Sequence, residues 1–169
     1  MSSTDTIIVV EKLYPDVELP EYATAGSAAM DVKAYVKGVQ VTTYTESNKK
    51  YQQLVVDGVP VVVYPRERVL IPLGFKGKIP EGYQVKVLPR SGKALKEGVI
   101  VSNSPGTIDS DYPGEWGVIL HNTSESKLEI NHGDKIAQIE LQPVYRMQFE
   151  EGVVEQTTER VGGFGSTGT

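Results

Sequence analysis

Short apolar stretches separated by polar turns run along most of the chain. The stretches are rich in Val, Ile, Thr and Tyr, and Gly, Pro, Asn and Asp bound them, which is typical of β-strands. Lys76–Glu81 is predicted to be a polar turn, and Leu88–Gly98 a short helix that Ser91 caps and Gly98 ends. The remaining pattern predicts strands at 6–11, the end of 19–34, 40–44, 53–64, 69–75, 82–88, 99–103, 127–130 and 135–141.

Residues 106–122 form the most informative stretch of the chain. Two acids and a tyrosine surround a Pro-Gly pair, and the apolar run Val118-Ile119-Leu120 follows. This order predicts a β-hairpin with a polar tip. Hairpin tips usually carry solvated polar residues, so Asp109 and Tyr112 indicate chemistry only in combination with other motifs.

Residues 39–63 are predicted to be an elaborated hairpin on the surface of a single domain. Strand-like segments at 40–44 and 53–64 flank the polar turn Glu46–Lys50, and Asp57-Gly58 is a second hairpin signal. No motif for catalysis is evident in this region. We therefore expect a peripheral structural element, which could also provide a surface for a protein partner.

Length, charge and composition exclude several classes of protein. A chain of 169 residues without a compositional break fits one domain. The absence of cysteine excludes disulfides and thiolate metal sites, and the net charge of −5 disfavours broad binding to nucleic acid. No run approaches the roughly 20 apolar residues of a membrane span. These features predict a soluble, cytoplasmic protein.

Three polar features have two interpretations each. Asp31 lies among small apolar residues and is expected either to form a structural pair or to lie near a ligand. Gln138 lies within an apolar strand and is expected to make an inter-strand hydrogen bond or a ligand contact. The glycine-rich segment 160–169 resembles a disordered end, yet its backbone could also wrap a phosphate chain. It is not a P-loop, because no Gly-Lys-Ser/Thr follows a strand.

Five motifs in a fixed order resemble those of the trimeric deoxyuridine triphosphatases, or dUTPases. Each motif alone is modest, but together they span Leu19 to Gly168. They are Ala25-Gly-Ser-Ala-Ala-Met-Asp31, Pro89-Arg-Ser-Gly92, Gly106-Thr-Ile-Asp-Ser-Asp-Tyr112, Gly133-Asp-Lys-Ile-Ala-Gln138 and Gly162-Gly-Phe-Gly-Ser-Thr-Gly168.

The resemblance implies an all-β, jelly-roll-like β-barrel that forms a homotrimer with active sites at subunit interfaces. It divides the chain into a β domain at 1–159 and a flexible C-terminal active-site arm at 160–169. The arm is then expected to order over the bound nucleotide. Because the five motifs are complete without residues 41–62, deletion of that segment is expected to spare activity.

The implied reaction is hydrolysis of dUTP to dUMP and pyrophosphate, which limits uracil in DNA and supplies dUMP. By resemblance, Asp109 is the catalytic base that activates a water against the α-phosphorus. Tyr112 is expected to pack on the deoxyribose. Contacts to the base are expected from Asn103, Thr107, Ile108 and Gly117.

The phosphate contacts implied by the resemblance come from two parts of the chain, together with Mg²⁺ held mainly by the substrate's own phosphates. Arg160 is expected to bind the γ-phosphate, and Phe164 to stack on uracil. One residue fewer than usual separates these two. The remaining phosphate-binding and tail residues are Arg90, Ser91, Gly92, Gln138, Gly165, Ser166 and Thr167.

Two further residues depart from the usual pattern, and two alternatives stay open. Lys93 stands where the family usually has an apolar residue and is expected on the solvent face of the helix. Trp116 is expected in the core or a subunit contact. A dCTP deaminase would need a glutamate where this chain has Ile119. A dUTPase-like binding or signalling module, using residues 39–63 as its partner surface, is the alternative from another class.

Overall fold

The computed structural model describes residues 6–159, and over that range the chain is all-β apart from one short helix. Alternating buried and exposed residues, as in Arg68–Pro72, explain why these segments form strands with one face in the core. The elements are β1 Val9–Lys12, β2 Met30–Lys33, β3 Gln40–Tyr44, β4 Lys50–Leu54, β5 Val61–Val63, β6 Arg68–Pro72, β7 Phe75–Lys78, β8 Tyr83–Pro89, α1 Ser91–Glu97, β9 Val99–Val101, β10 Gly106–Ile108, β11 Gly117–Asn122, β12 Leu128–Ile130 and β13 Lys135–Pro143.

Two antiparallel sheets carry the core. One has the strand order β10-β8-β13-β2 and the other has the order β4-β3-β6-β11-β9, while β1 pairs with β7 and β12 with β5. The buried faces of both sheets contribute to a single hydrophobic core. This architecture confirms the all-β, jelly-roll-like prediction, although the sheets do not close into a barrel within residues 6–159.

Residues 39–63 contain the predicted hairpin, formed by β3 and β4, and the region also contributes to the main sheet and to the core. Strand β3 pairs with β4 on one side and with β6 on the other. Val41 and Val61 are at most 1% exposed. The Gln53 side chain also joins this region internally, because its amide donates to the Val62 carbonyl and accepts from the Val62 N–H. The division at residue 159 stays a prediction.

Two local predictions also need correction. Residues 75–78 form β7, although a turn was predicted to begin at Lys76. Phe75 is buried and the next residue, Lys76, is more exposed, as expected for the two faces of a strand. The predicted helix is present and ends at Gly98, whose φ is 65°. Ser91, however, does not cap it. Arg90 occupies the N-cap position without a side-chain capping bond. No helix within residues 6–159 is long and apolar enough to cross a membrane.

Candidate active site

The predicted hairpin at 106–122 is a corner between the two sheets. Strand β10 pairs with β8, whereas β11 pairs with β6 and β9, so the two strands do not pair with each other. The hairpin prediction is therefore wrong, although both strands exist. Because the strands diverge into different sheets, a cleft opens between them.

This cleft, which we call the base cleft because the predicted contacts to the nucleobase lie there, has a volume of about 250 Å³. All the predicted site residues of the central motif line it. Asp109 is exposed, and it also lines part of another cleft that includes Lys78 and Arg146. Two apolar residues of the neighbouring sheet, Leu70 and Ile119, line the opposite wall. The predicted site residues that line the base cleft are Asn103, Thr107, Ile108, Asp109, Tyr112 and Gly117.

The backbone of β10 is available for hydrogen bonding. Since β10 is an edge strand of the described sheet, its backbone groups that point away from β8 have no ladder partner among residues 6–159. The Thr107 hydroxyl is occupied on one side, where it accepts from the Lys86 ammonium at 2.8 Å. This strand can therefore present alternating donors and acceptors to a planar, polar ring in the cleft.

Short contacts fix the corner and its tyrosine. The Tyr112 N–H donates to the Asp109 carbonyl at 3.2 Å, and the Tyr112 hydroxyl donates to the Glu115 carbonyl at 3.2 Å. A Cβ at Gly114 would lie 2.5 Å from the Tyr112 hydroxyl, so another residue there would displace the Tyr112 ring from its present position. The Glu115 carboxylate accepts from the Gly74 N–H at 2.8 Å, which ties the corner to the chain before β7. Asp109 and Tyr112 therefore stand on a well-supported turn.

Trp116 anchors the corner from inside. Its side chain is 2% exposed, and its ring packs on Phe75 with centroids 5.3 Å apart. Gly77 leaves room for the indole, because a Cβ there would lie 2.9 Å from Cη2. The structure thus confirms the core interpretation of Trp116.

A second cleft, of about 300 Å³, gathers the phosphate-binding residues predicted outside the tail. It lies where α1 meets the ends of β8, β13 and β2. Three lysine and glutamate side chains of α1 also line it. The lining residues of this phosphate cleft are Asp31, Arg90, Ser91, Gly92, Lys93, Lys96, Glu97 and Gln138.

Asp31 organises the phosphate cleft. Its Oδ1 accepts from Arg90 Nε at 2.9 Å, and its Oδ2 pairs with Lys135 Nζ at 3.1 Å. Gln138 also donates to Asp31 Oδ1 at 3.4 Å across neighbouring strands. Burial raises the pKa of Asp31, but the hydrogen bond from Lys135 and the charges of Arg90 and Lys135 outweigh burial and lower it. Asp31 and Gln138 therefore make the predicted structural pairs, and their role as ligand contacts stays a prediction.

The sequence analysis missed part of the phosphate cleft. Lys93 was expected on the solvent face, but its side chain is only 17% exposed and lines the cleft, so that expectation is wrong. Lys96, Glu97 and the Asp31 partner Lys135 were not identified at all. A signal was available, because positions 93 and 97 share one face of the predicted helix, directly after Arg90.

The two clefts share no lining residue within the described chain. The base cleft contains Asp109, the candidate general base, and the phosphate cleft contains the candidate phosphate ligands. The predicted tail residues Arg160, Phe164, Gly165, Ser166 and Thr167 lie outside the described residues.

Comparison with known families identifies the chain. The family model for dUTPase matches residues 55–168, which is most of the sequence. The chain belongs to the dUTPase family. This membership agrees with the motif order and with the corner that carries Asp109.

Curated dUTPases from bacteria are similar over nearly their whole length. The deoxyuridine 5'-triphosphate nucleotidohydrolase of Hydrogenobaculum sp. is 43% identical over 95% of this chain and 97% of its own. The enzyme of the same name from Roseobacter denitrificans is 42% identical over 90% of this chain and 88% of its own.

Solved dUTPase structures share the fold at lower identity. Staphylococcus bacteriophage 80alpha dUTPase with dUPNHPP has a TM-score of 0.75 and 22% identity over 98% of this chain and 100% of that one. The dUTPase from phage phi11 of S. aureus has a TM-score of 0.68 and 20% identity over 90% of this chain and 100% of that one. A further phi11 dUTPase structure is described as showing the coordination of a structural Mg(II) ion.

The acidic residues of this dUTPase do not form a preassembled metal site within residues 6–159, where no group of three or more His, Asp or Glu side chains could hold an ion. Glu115, the glutamate that lines the base cleft, accepts a hydrogen bond from the Gly74 N–H. A glutamate positioned for deaminase chemistry is thus missing from this wall of the described cleft.

Proposed function

We propose that this chain hydrolyses dUTP to dUMP and pyrophosphate, with Asp109 as the general base. The observation that carries the proposal is that the exposed residue Asp109 lines a cleft together with an edge strand. Family membership and the names of the bacterial relatives support the substrate. A cytoplasmic location stays a prediction.

The base cleft gives a physical account of specificity. Backbone groups of Thr107 and Ile108 on the edge strand would pair with uracil, and cytosine would leave them unpaired because it reverses the donor and acceptor pattern. Thymine would add a methyl group against the closely packed corner. Tyr112, fixed by its bond to the Glu115 carbonyl, would exclude a 2′-hydroxyl and hence UTP.

Three copies of the chain would share each active site in this proposal. Asp109 and the phosphate ligands line separate clefts of one chain, and no Arg or Lys among residues 6–159 lines the base cleft. In this proposal Arg90 of a second copy supplies positive charge to a triphosphate beside Asp109, and Ser91, Gly92 and Gln138 of that copy add uncharged phosphate contacts. The tail of a third copy would add Arg160, Phe164, Gly165, Ser166 and Thr167.

The donor set fits a Mg²⁺ ion that keeps water and phosphate oxygens as its main ligands. Asp31 is already paired with two cations, and the described residues offer no cluster of acids to enclose the ion. When bound, the ion would neutralise charge on the phosphates. Asp109 would take the proton from the attacking water, while Arg90 and the tail would hold the phosphate chain.

The decisive experiment is release of dUMP and pyrophosphate from dUTP with Mg²⁺, run beside dTTP, dCTP and UTP. Asp109→Asn should lower turnover by about 10²- to 10⁴-fold, the usual contribution of a general base. Asp111→Asn is the matched control, since Asp111 is an exposed acid two residues away that does not line the base cleft. Equal loss in both variants, or full activity of Asp109→Asn, would overturn the assignment.

Mixing inactive variants tests the shared site. Asp109→Asn and Arg90→Ala, refolded together, should regain part of the activity, because some mixed sites receive an intact Asp109 and an intact Arg90 from different chains. No recovery in well-formed mixed oligomers would contradict a site shared in this way.

A purely binding module is the second candidate, and one observation favours it. Residues 39–63 expose three apolar side chains, Leu54 at 70%, Val56 at 61% and Val59 at 53%. Such a patch could bind a protein partner. Absence of turnover in a folded oligomer that still binds dUTP would bring this candidate forward.

A further inference from the structure

The phosphate cleft contains more charge than the motif residues supply. Arg90 is accompanied by Lys93 and Lys96, and two acids, Asp31 and Glu97, line the same cleft. Asp31 is committed to Arg90 and Lys135. Pairing with Asp31 therefore explains the position of Arg90, but it does not explain Lys93 and Lys96 of α1.

Lys93 is held at the cleft by Glu97. The Lys93 ammonium lies 2.9 Å from Glu97 Oε2, and the Lys93 side chain is 17% exposed against 45% for Glu97. The two residues are four apart on α1, so they lie on one face of the helix. Lys93 is thus a sheltered cation in the cleft that Arg90 also lines, and the more exposed Glu97 is its counter-ion among the described residues.

The Lys93–Glu97 pair is weak enough to be exchanged. Ion pairs between residues four apart on a helix contribute little when water reaches one partner. A phosphate chain carries several negative charges and more acceptor oxygens than one carboxylate. If Glu97 releases Lys93, the lysine could therefore bind a phosphate chain in the same cleft without a movement of the backbone.

We propose that Lys93 is a phosphate-binding residue of this chain, which exchanges Glu97 for the triphosphate of the substrate. This inference rests on the proposed function and adds a residue to it. In the empty cleft, Glu97 neutralises Lys93 and repels phosphate. With nucleotide bound, Lys93 adds one positive charge beside Arg90.

The two partners should affect affinity in opposite directions. For the non-hydrolysable analogue dUPNHPP, Lys93→Met should weaken binding roughly tenfold, as expected for loss of one charge-assisted hydrogen bond. Glu97→Gln should strengthen binding, because it frees Lys93 and removes a negative charge from the cleft. A merely structural ion pair would make both variants change in the same direction or not at all. Calorimetric titration of the full-length protein measures both constants.

Two further variants separate a local contact from general electrostatics. Lys127→Met removes one positive charge from another ion pair, which joins Lys127 to Glu129 at 2.6 Å, and it should bind like the wild type. Lys93→Arg keeps the charge and should retain most of the affinity. Equal weakening by Lys93→Met and Lys127→Met would overturn the proposal.

The failure of this inference differs from the failure of the proposed function. If the wild type binds dUPNHPP and hydrolyses dUTP, but Lys93→Met binds equally well, only the role of Lys93 is refuted. If the wild type neither binds the analogue nor hydrolyses dUTP, the proposed function fails and the Lys93 proposal fails with it. A larger effect on dUPNHPP than on dUMP is also expected, because dUMP lacks the outer phosphates.

Discussion

Replacement of Asp31 by asparagine tests the organisation of the phosphate cleft. The change keeps the side-chain shape but removes the charge, and one of the two acceptor oxygens becomes an NH₂ donor. Since Oδ1 faces Arg90 Nε and Oδ2 faces Lys135 Nζ, either amide orientation places a donor against a cation. We expect Asp31→Asn to lower stability and to leave Arg90 less well positioned for phosphate.

The size of the effect follows from burial. Hydrogen bonds to charged groups contribute about 1.5–3 kcal/mol when protected, whereas exposed ion pairs contribute about 0–1 kcal/mol. Asp31 is 19% exposed, but Arg90 is 32% and Lys135 50% exposed. An intermediate loss of about 1–2 kcal/mol in the free energy of unfolding is therefore expected at pH 7.

The pH dependence has a definite sign. Because the folded state lowers the pKa of Asp31, its ionised form stabilises the fold above the unfolded pKa of about 3.9. That stabilisation is lost as the pH falls through the lower folded value. The difference between wild type and Asp31→Asn should be full at pH 7 and should shrink below about pH 4.

Urea unfolding at one fixed protein concentration measures this difference, since oligomer stability depends on concentration. Asp57→Asn is the control, because Asp57 is 73% exposed and lies 3.8 Å from Lys37. It should cost little at any pH. A difference for Asp31→Asn that stays constant from pH 7 to pH 3, or that is no larger than the control's, would refute the reasoning.

Two other changes test the corner and residues 39–63. Gly77→Ala should place a methyl group against the buried Trp116 ring, lower the free energy of unfolding by about 1–3 kcal/mol and reduce dUTP turnover, because the ring supports the corner that carries Asp109. Thermal unfolding measures the stability and kcat measures the turnover, and an unchanged melting temperature would contradict this prediction. Deletion of residues 41–62 should unfold the chain instead of sparing activity, because it removes Val41 and Val61 from the core. If circular dichroism shows a folded deletion variant and that variant still hydrolyses dUTP, the original expectation is restored.

Local sequence signals predicted the elements better than their pairing. Strands such as β6 follow from period-two alternation, and α1 follows from its composition and the terminal Gly98. The partners of β10 and β11 did not follow, because pairing depends on contacts far apart in sequence. One signal could have helped: residues 109–116 are longer than the two- to five-residue loops of ordinary hairpins.

The candidate site shows the same limit. Motif order identified Asp109, Arg90 and Gln138, and the structure places each at a cleft. Lys93 was misplaced because the exposure of a lysine on a seven-residue helix depends on the strands that the helix packs beside. The burial of Val41 and Val61 was also not predicted. The polar turn and the Asp-Gly pair indicated a surface hairpin more strongly than the apolar run Val61–Val63 indicated the core.

Strand β8 connects the two clefts and explains how one rigid element can serve both. Val87 lines the base cleft and pairs with Gly106, while Arg90, three residues later, lines the phosphate cleft. The sheet that contains β8 thus contributes to both clefts, and the second sheet supplies the opposite wall of the base cleft. The distance between a base in one copy and cations in another, in the shared-site proposal, would be set only by how the copies pack. Substitutions at the contact between copies should then lower kcat while leaving both clefts of the isolated chain unchanged.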